Sequence, residues 1–147
     1  MYEEILKANP TCALVGSRAL ILQGFKVRRE PKDIDIYDPE NVFKIVPGMT
    51  LPEPKENQTE EEKYNDEDGN NEHNRTSYLY KGVSVDVFSP TDKDNNKQKI
   101  VSVKVDGKSV KCIDYLETLK AKLSYIKEGG KSKGKHKMDL MYFLLMN

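Results

Sequence analysis

Residues 13–37, reading ALVGSRALILQGFKVRREPKDIDIY, restrict the chain more than any other stretch. The apolar run at 12–15 is long enough for a buried strand and ends at Gly16-Ser17. Residues 18–23 then read as a helix, with Ser17 as N-cap and Gly24 as its stop. From 32 to 37 the side chains alternate, Ile34 and Ile36 on one face and Asp33 and Asp35 on the other. A period of two belongs to a strand covered on one side only, so both carboxylates are expected to look toward an open face.

The remaining chain supplies elements to pack around this unit. Residues 2–7 form a short helix stopped by Asn9-Pro10, because proline disfavours helix in the residue before it. Residues 41–46 are expected to add a helical turn or two after Asp38-Pro39 closes the strand. Residues 47–75 carry three prolines among runs of Glu, Asp and Asn, and are expected to be a mobile acidic insertion. Strand character resumes at 76–80. At 83–88 Val83, Val85 and Val87 share one face, leaving Asp86 with Ser84 and Phe88 on the other. Asp106-Gly107 between 100–105 and 108–112 marks a hairpin with a type I′ turn. Asp114 and Glu117 read as a capping box opening a helix, and 135–146 as a last, broadly apolar helix that needs deep docking or a subunit contact. The fold class expected is α+β: a small mixed central sheet carrying the carboxylates, flanked by helices, with a C-terminal helical hairpin over 114–147.

At 147 residues the chain fits one domain, 1–147, without a second core. Its 24 basic and 24 acidic residues cancel, which removes any whole-molecule attraction to nucleic acid or membrane. Charge is segregated locally, with nine acidic residues against two lysines at 53–72 and seven lysines against one glutamate at 120–137. Cys12 and Cys112 stand apart from each other and from any zinc-ligand spacing, so they read as reduced core residues. No stretch reaches the roughly 18 apolar residues of a membrane span and no signal-peptide pattern opens the chain, so a cytoplasmic location is expected.

Chemistry enters through the joint placement of acidic and glycine positions. Residues two apart on a strand lie about 6.5–7 Å apart on one face, and a neighbouring strand lies about 4.8 Å away. Asp33 and Asp35 with a third carboxylate, Asp86, can thus surround one point. Oxygen donors of this kind suit Mg²⁺, leaving positions for water and phosphate. Gly16 lets backbone approach a phosphate and Ser17 adds a hydroxyl donor. Each motif alone is ordinary.

Together they resemble the polymerase-β-like nucleotidyltransferase superfamily in its small, minimal form. The family pattern is an apolar strand, Gly-Gly or Gly-Ser opening a helix, a strand with Asp-x-Asp or Asp-x-Glu, and a third acidic residue on a later strand. Here these are Gly16 and Ser17, Asp33 and Asp35, and Asp86 within SVDVF. The hairpin followed by IDYLETLKAKLSYI and KGKHKMDLMYFLL also looks like the C-terminal region of bacterial members. Two departures are visible: fifteen residues separate Ser17 from Asp33, and the acidic insertion before Asp86 is long.

The resemblance implies transfer of a nucleoside monophosphate from an NTP to an acceptor hydroxyl with two Mg²⁺ or Mn²⁺ ions. Asp33, Asp35 and Asp86 would bind the metals, Asp86 could take the acceptor's proton, and Gly16 and Ser17 would hold the outer phosphates. Lys122 is a candidate triphosphate contact, and His136 and Asp139 are expected to fasten the last helix. The acceptor, whether RNA, protein or small molecule, is left open. The rival readings are a non-catalytic nucleotide- or partner-binding module, with homo- or hetero-oligomers formed through the apolar C-terminal helix, and an Asp-x-Asp glycosyltransferase.

Overall fold

The computed structural model of the protein describes residues 1–52, 73–90, 98–129 and 133–147. Its organising element is one mixed sheet. In chain order the elements are α1 (Tyr2–Ala8), β1 (Ala13–Leu14), α2 (Ser17–Leu22), β2 (Ile34–Tyr37), β3 (Met49–Thr50), β4 (His73–Tyr80) and β5 (Val83–Pro90). The hairpin β6 (Ile100–Val105) and β7 (Lys108–Ile113) follows, then α3 (Tyr115–Glu128) and α4 (Lys133–Met146). The strands lie in the order β3-β4-β5-β2-β1-β7-β6. β2 pairs parallel with β5, β1 parallel with β7, and β1 antiparallel with β2. This is the α+β architecture expected, with the carboxylate strand at its centre.

Apolar alternation explains the central strands. Ile34, Ile36, Val85 and Val87 are all buried on one face, where Ile5 from α1 and Ala19 from α2 join the same core. The opposite face carries a smaller cluster, in which Tyr37, Ala13 and Ile113 are buried. The face that bears the carboxylates is therefore open at the exposed Asp33 and closed at the buried Tyr37. Gln23 joins three elements, donating from Nε2 to the carbonyls of Ala19 (3.0 Å) and Ile113 (2.8 Å) and accepting from the Tyr115 amide (3.1 Å). Phe25 then packs against Tyr115 and Phe143, with ring centroids 4.7 and 5.0 Å away, docking the C-terminal helices beside α2.

Several boundaries differ from expectation, each for a local reason. The helical turn expected at 41–46 does not form. The buried Asp38 carboxylate accepts the amides of Val42 (3.2 Å) and Phe43 (3.0 Å), and Asn9 Oδ1 accepts that of Lys44 (2.7 Å). Side chains that take backbone amides in this way compete with helix. α2 starts at Ser17, so Gly16 and not Ser17 is its N-cap, with φ +78° in the left-handed region. The capping box is incomplete: Asp114 is the N-cap of α3 but makes no side-chain cap bond.

Both ends of the expected insertion at 47–75 are strand, because Met49–Thr50 pairs with β4 and β4 itself begins at His73. The acidic residues 53–72 lie outside the described residues. The Asp106-Gly107 turn is as expected, with φ +50° and +80°. On α4 only Phe143 is buried, while Met138, Met141, Leu144 and Leu145 remain exposed. Among the described residues no helix is long and apolar enough to cross a membrane.

Asp38 also accepts from Ser89 Oγ at 3.4 Å and the Cys12 thiol at 3.5 Å, so its removal orphans several buried donors. Asp38→Ala is expected to cost about 2–4 kcal/mol of unfolding free energy, read from the urea midpoint. A loss below about 1 kcal/mol would show that these donors find other partners.

Candidate active site

Strand register builds the site. Pairing of Ile34 with Val85 and Ile36 with Val87 buries the apolar residues of β2 and β5 on one side. It thereby sets Asp35 directly beside Asp86 on the other. Asp33 lies one residue before β2. The Val15 amide donates to the Asp35 carbonyl (3.0 Å), carrying the β1–β2 pairing up to the turn at Gly16. Glycine is favoured at that turn on two counts. Its φ is positive, and a Cβ there would stand 3.0 Å from Asp35 Oδ2.

The electrostatics are those of crowded negative charge. Burial pushes the Asp35 carboxyl up to about 7, and repulsion from Asp86 and Asp33 adds to it, with Arg75 and Arg18 opposing. Asp33 is raised by burial and by Asp86, against the charges of Arg18, Lys135 and Lys32. Arg18 Nη2 also donates to the Asp33 carbonyl at 3.3 Å, tying the first turn of α2 to the start of β2. Across β5, Ser77 Oγ donates to Asp86 Oδ1 at 2.6 Å.

The three aspartates are within electrostatic reach of one another. Their expected convergence on one point is not made by the present side-chain positions, since among the described residues no three His, Cys, Asp or Glu side chains gather into a metal-ligand cluster. A donor set of three neighbouring carboxylates, oxygen only, nevertheless has the chemistry that Mg²⁺ or Mn²⁺ takes.

Lys122 stands elsewhere than the carboxylates. Its Nζ is 3.3 Å from Asp139 Oδ2, and Asp139 also meets Arg28 Nε at 2.7 Å and Arg29 Nη2 at 3.4 Å. Burial pushes the Lys122 ammonium down, with Asp139 opposing. Burial alone would raise the Asp139 carboxyl, but Arg28, Lys122 and Arg29 outweigh it and hold it below the ordinary carboxylate range. Lys122 shares with Ser17, Arg28 and Asp139 a cavity of about 10 Å³, room for about one water molecule. It is thus near the Gly16-Ser17 turn but engaged by its own partner. His136, pushed down to about 4 by burial and by Lys122 and Lys135, packs its ring 4.7 Å from that of Tyr125. His136 and Asp139 join α4 to α3, as expected.

Sequence reasoning missed Arg18, Ser77 and the Arg28–Asp139 pair. Alternation over 76–80 does place residue 77 opposite the core-facing Tyr78, yet nothing in spacing says that Asp86 is its neighbour.

No protein-family model matches the sequence, and no curated protein matches it. Among solved structures the chain is similar to a nucleotidyltransferase-like protein. That structure is an antigenic protein from Paracoccidioides brasiliensis, matched at TM-score 0.55 and 14% identity over 98% of this chain and 72% of that one. The fold is therefore nucleotidyltransferase-like.

The raised Asp35 value has a consequence for stability. The folded carboxyl keeps its proton after the unfolded one, at about 4, has lost it, so ionisation between these values works against folding. The metal-free protein is expected to lose stability as pH rises from about 4 to about 7 and to level off above. Thermal melts across that range should show the decline, and Asp35→Asn should flatten it. An unchanged profile in the variant would place the charge cost elsewhere.

Proposed function

We propose that this protein transfers a nucleoside monophosphate from an NTP to an acceptor hydroxyl, releasing pyrophosphate, with Mg²⁺ or Mn²⁺ as cofactor. The observation that carries the reading is the in-register pairing of Asp35 with Asp86, beside a positive-φ glycine whose Cα faces the Asp35 carboxylate closely. The nucleotidyltransferase-like fold supports the same reading.

Asp33, Asp35 and Asp86 would hold the metal ions. Bound there, two ions would neutralise the triphosphate and stabilise charge on the attacking and leaving oxygens. The chain's own groups do the rest. Gly16 and Ser17 would receive the outer phosphates, and Asp86 would accept the acceptor's proton. Lys122 would reach the triphosphate only by exchanging Asp139 for a phosphate oxygen, so we assign it the weaker contact. Arg18 would keep Asp33 set against the Gly16-Ser17 turn. We take 1–147 as one functional unit working in the cytoplasm, with the outward apolar residues of α4 serving a contact with another chain.

Incubation with α-labelled NTPs and cell extract should move label to an acceptor in a Mg²⁺- or Mn²⁺-dependent way. Asp35→Asn should lower that transfer about a hundredfold or more, since even groups that only support a metal ligand cost 10–100-fold. Label transfer undiminished in Asp35→Asn would refute the assignment.

A further inference from the structure

One contact at the site has no part in the reaction described so far. The Ser77 hydroxyl donates to Asp86 Oδ1 at 2.6 Å, a short, charge-assisted bond. Ser77 sits opposite Asp86 in the antiparallel β4–β5 register, and Asp86 sits opposite Asp35 in the parallel β5–β2 register. The three residues therefore cross the sheet on consecutive strands about 4.8 Å apart. Tyr78, next to Ser77, faces the core and packs against Phe43 at 5.6 Å, which turns Ser77 to the carboxylate side. Ser77 is only partly buried.

A hydroxyl within 2.6–3.2 Å of a carboxylate base is the geometry of a nucleophile paired with its general base. Asp86 is also the residue to which the proposed reaction assigns the acceptor's proton. We propose that Ser77 is itself an acceptor, and that the protein nucleotidylates its own β4 strand. This rests on the nucleotidyl-transfer reading above. In the step, Ser77 Oγ forms a bond to the α-phosphorus of the NTP as its proton passes to Asp86. The bond from the α-phosphorus to the α,β-bridging oxygen breaks, and pyrophosphate departs with the electron pair. The product is a serine phosphodiester of the nucleoside monophosphate.

The modification would end the Ser77–Asp86 hydrogen bond and put a nucleotide over the carboxylates that bound its precursor. Self-transfer would then cap each chain at one nucleotide and block further transfer. No second protein or nucleic acid is required for the reaction, so the purified protein is a sufficient system.

The test is incubation of the purified protein with Mn²⁺ and each of the four NTPs, followed by intact mass, peptide mapping and, in parallel, binding of a fluorescent NTP analogue. One nucleoside monophosphate per chain is expected, mapped to Ser77. Ser77→Ala should lower labelling at least about tenfold while binding the analogue within about twofold of wild type, and Ser77→Thr, which keeps the hydroxyl, should retain labelling at a lower rate. Wild-type protein that binds the analogue but gains no mass overturns the inference and leaves the proposed function standing. So does label mapped to another residue and kept in Ser77→Ala. Wild-type protein that binds no nucleotide in the presence of Mn²⁺ overturns both.

Discussion

Two carboxylates held side by side by strand pairing are the constraint around which the molecule is arranged. Asp35 and Asp86 do not choose their separation, because Ile34, Ile36, Val85 and Val87 fix the register from the buried face. Burying each such side chain is worth about 1.5–3 kcal/mol. Two charges about 5 Å apart at an effective dielectric of about 20 repel by about 3 kcal/mol. Packing of the four apolar residues therefore outweighs the repulsion, and the core imposes on the opposite face a charge density it would not otherwise adopt. Burial first, and repulsion from Asp86 and Asp33 after it, raise the Asp35 carboxyl to about 7.

The surrounding structure can be understood as support for that arrangement. Gly16 brings the β1–α2 turn against Asp35 because it lacks a side chain, and Arg18 returns from the same turn to the Asp33 carbonyl. Gln23 fixes the other end of α2 to β7 and α3. Asp139 gathers Arg28 and Lys122, so the loop between α2 and β2 is held by the C-terminal helices and not by regular structure of its own. A half-buried carboxylate with three cations around it, two of them well shielded, is an anchor whose loss would free the loop that leads into Asp33.

Much of this was readable in the chain because it depends on local alternation. The period-two patterns at 32–37 and 83–88 named the strands, their buried faces and the carboxylates opposite. The Asp-Gly turn marked the hairpin, and Asp114 marked the start of α3. What was not readable depends on partners distant in sequence. The helix expected at 41–46 lost to Asp38 and Asn9, whose side chains capture its amides. Lys122 could be placed on a helix, but its capture by Asp139 requires α4 to dock against α3. Ser77 looked like any strand serine until β4 and β5 were paired.

In the proposed function Asp35 and Asp86 form a cation site for a nucleoside triphosphate. Anomalous diffraction from crystals grown with Mn²⁺ and a non-hydrolysable NTP addresses it most directly. The account predicts an anomalous peak between the two carboxylates, about 2.1 Å from oxygens of both, with the phosphates directed toward Gly16 and Ser17. A peak bound only to the nucleotide and remote from β2 and β5, or none where nucleotide is seen, would contradict it.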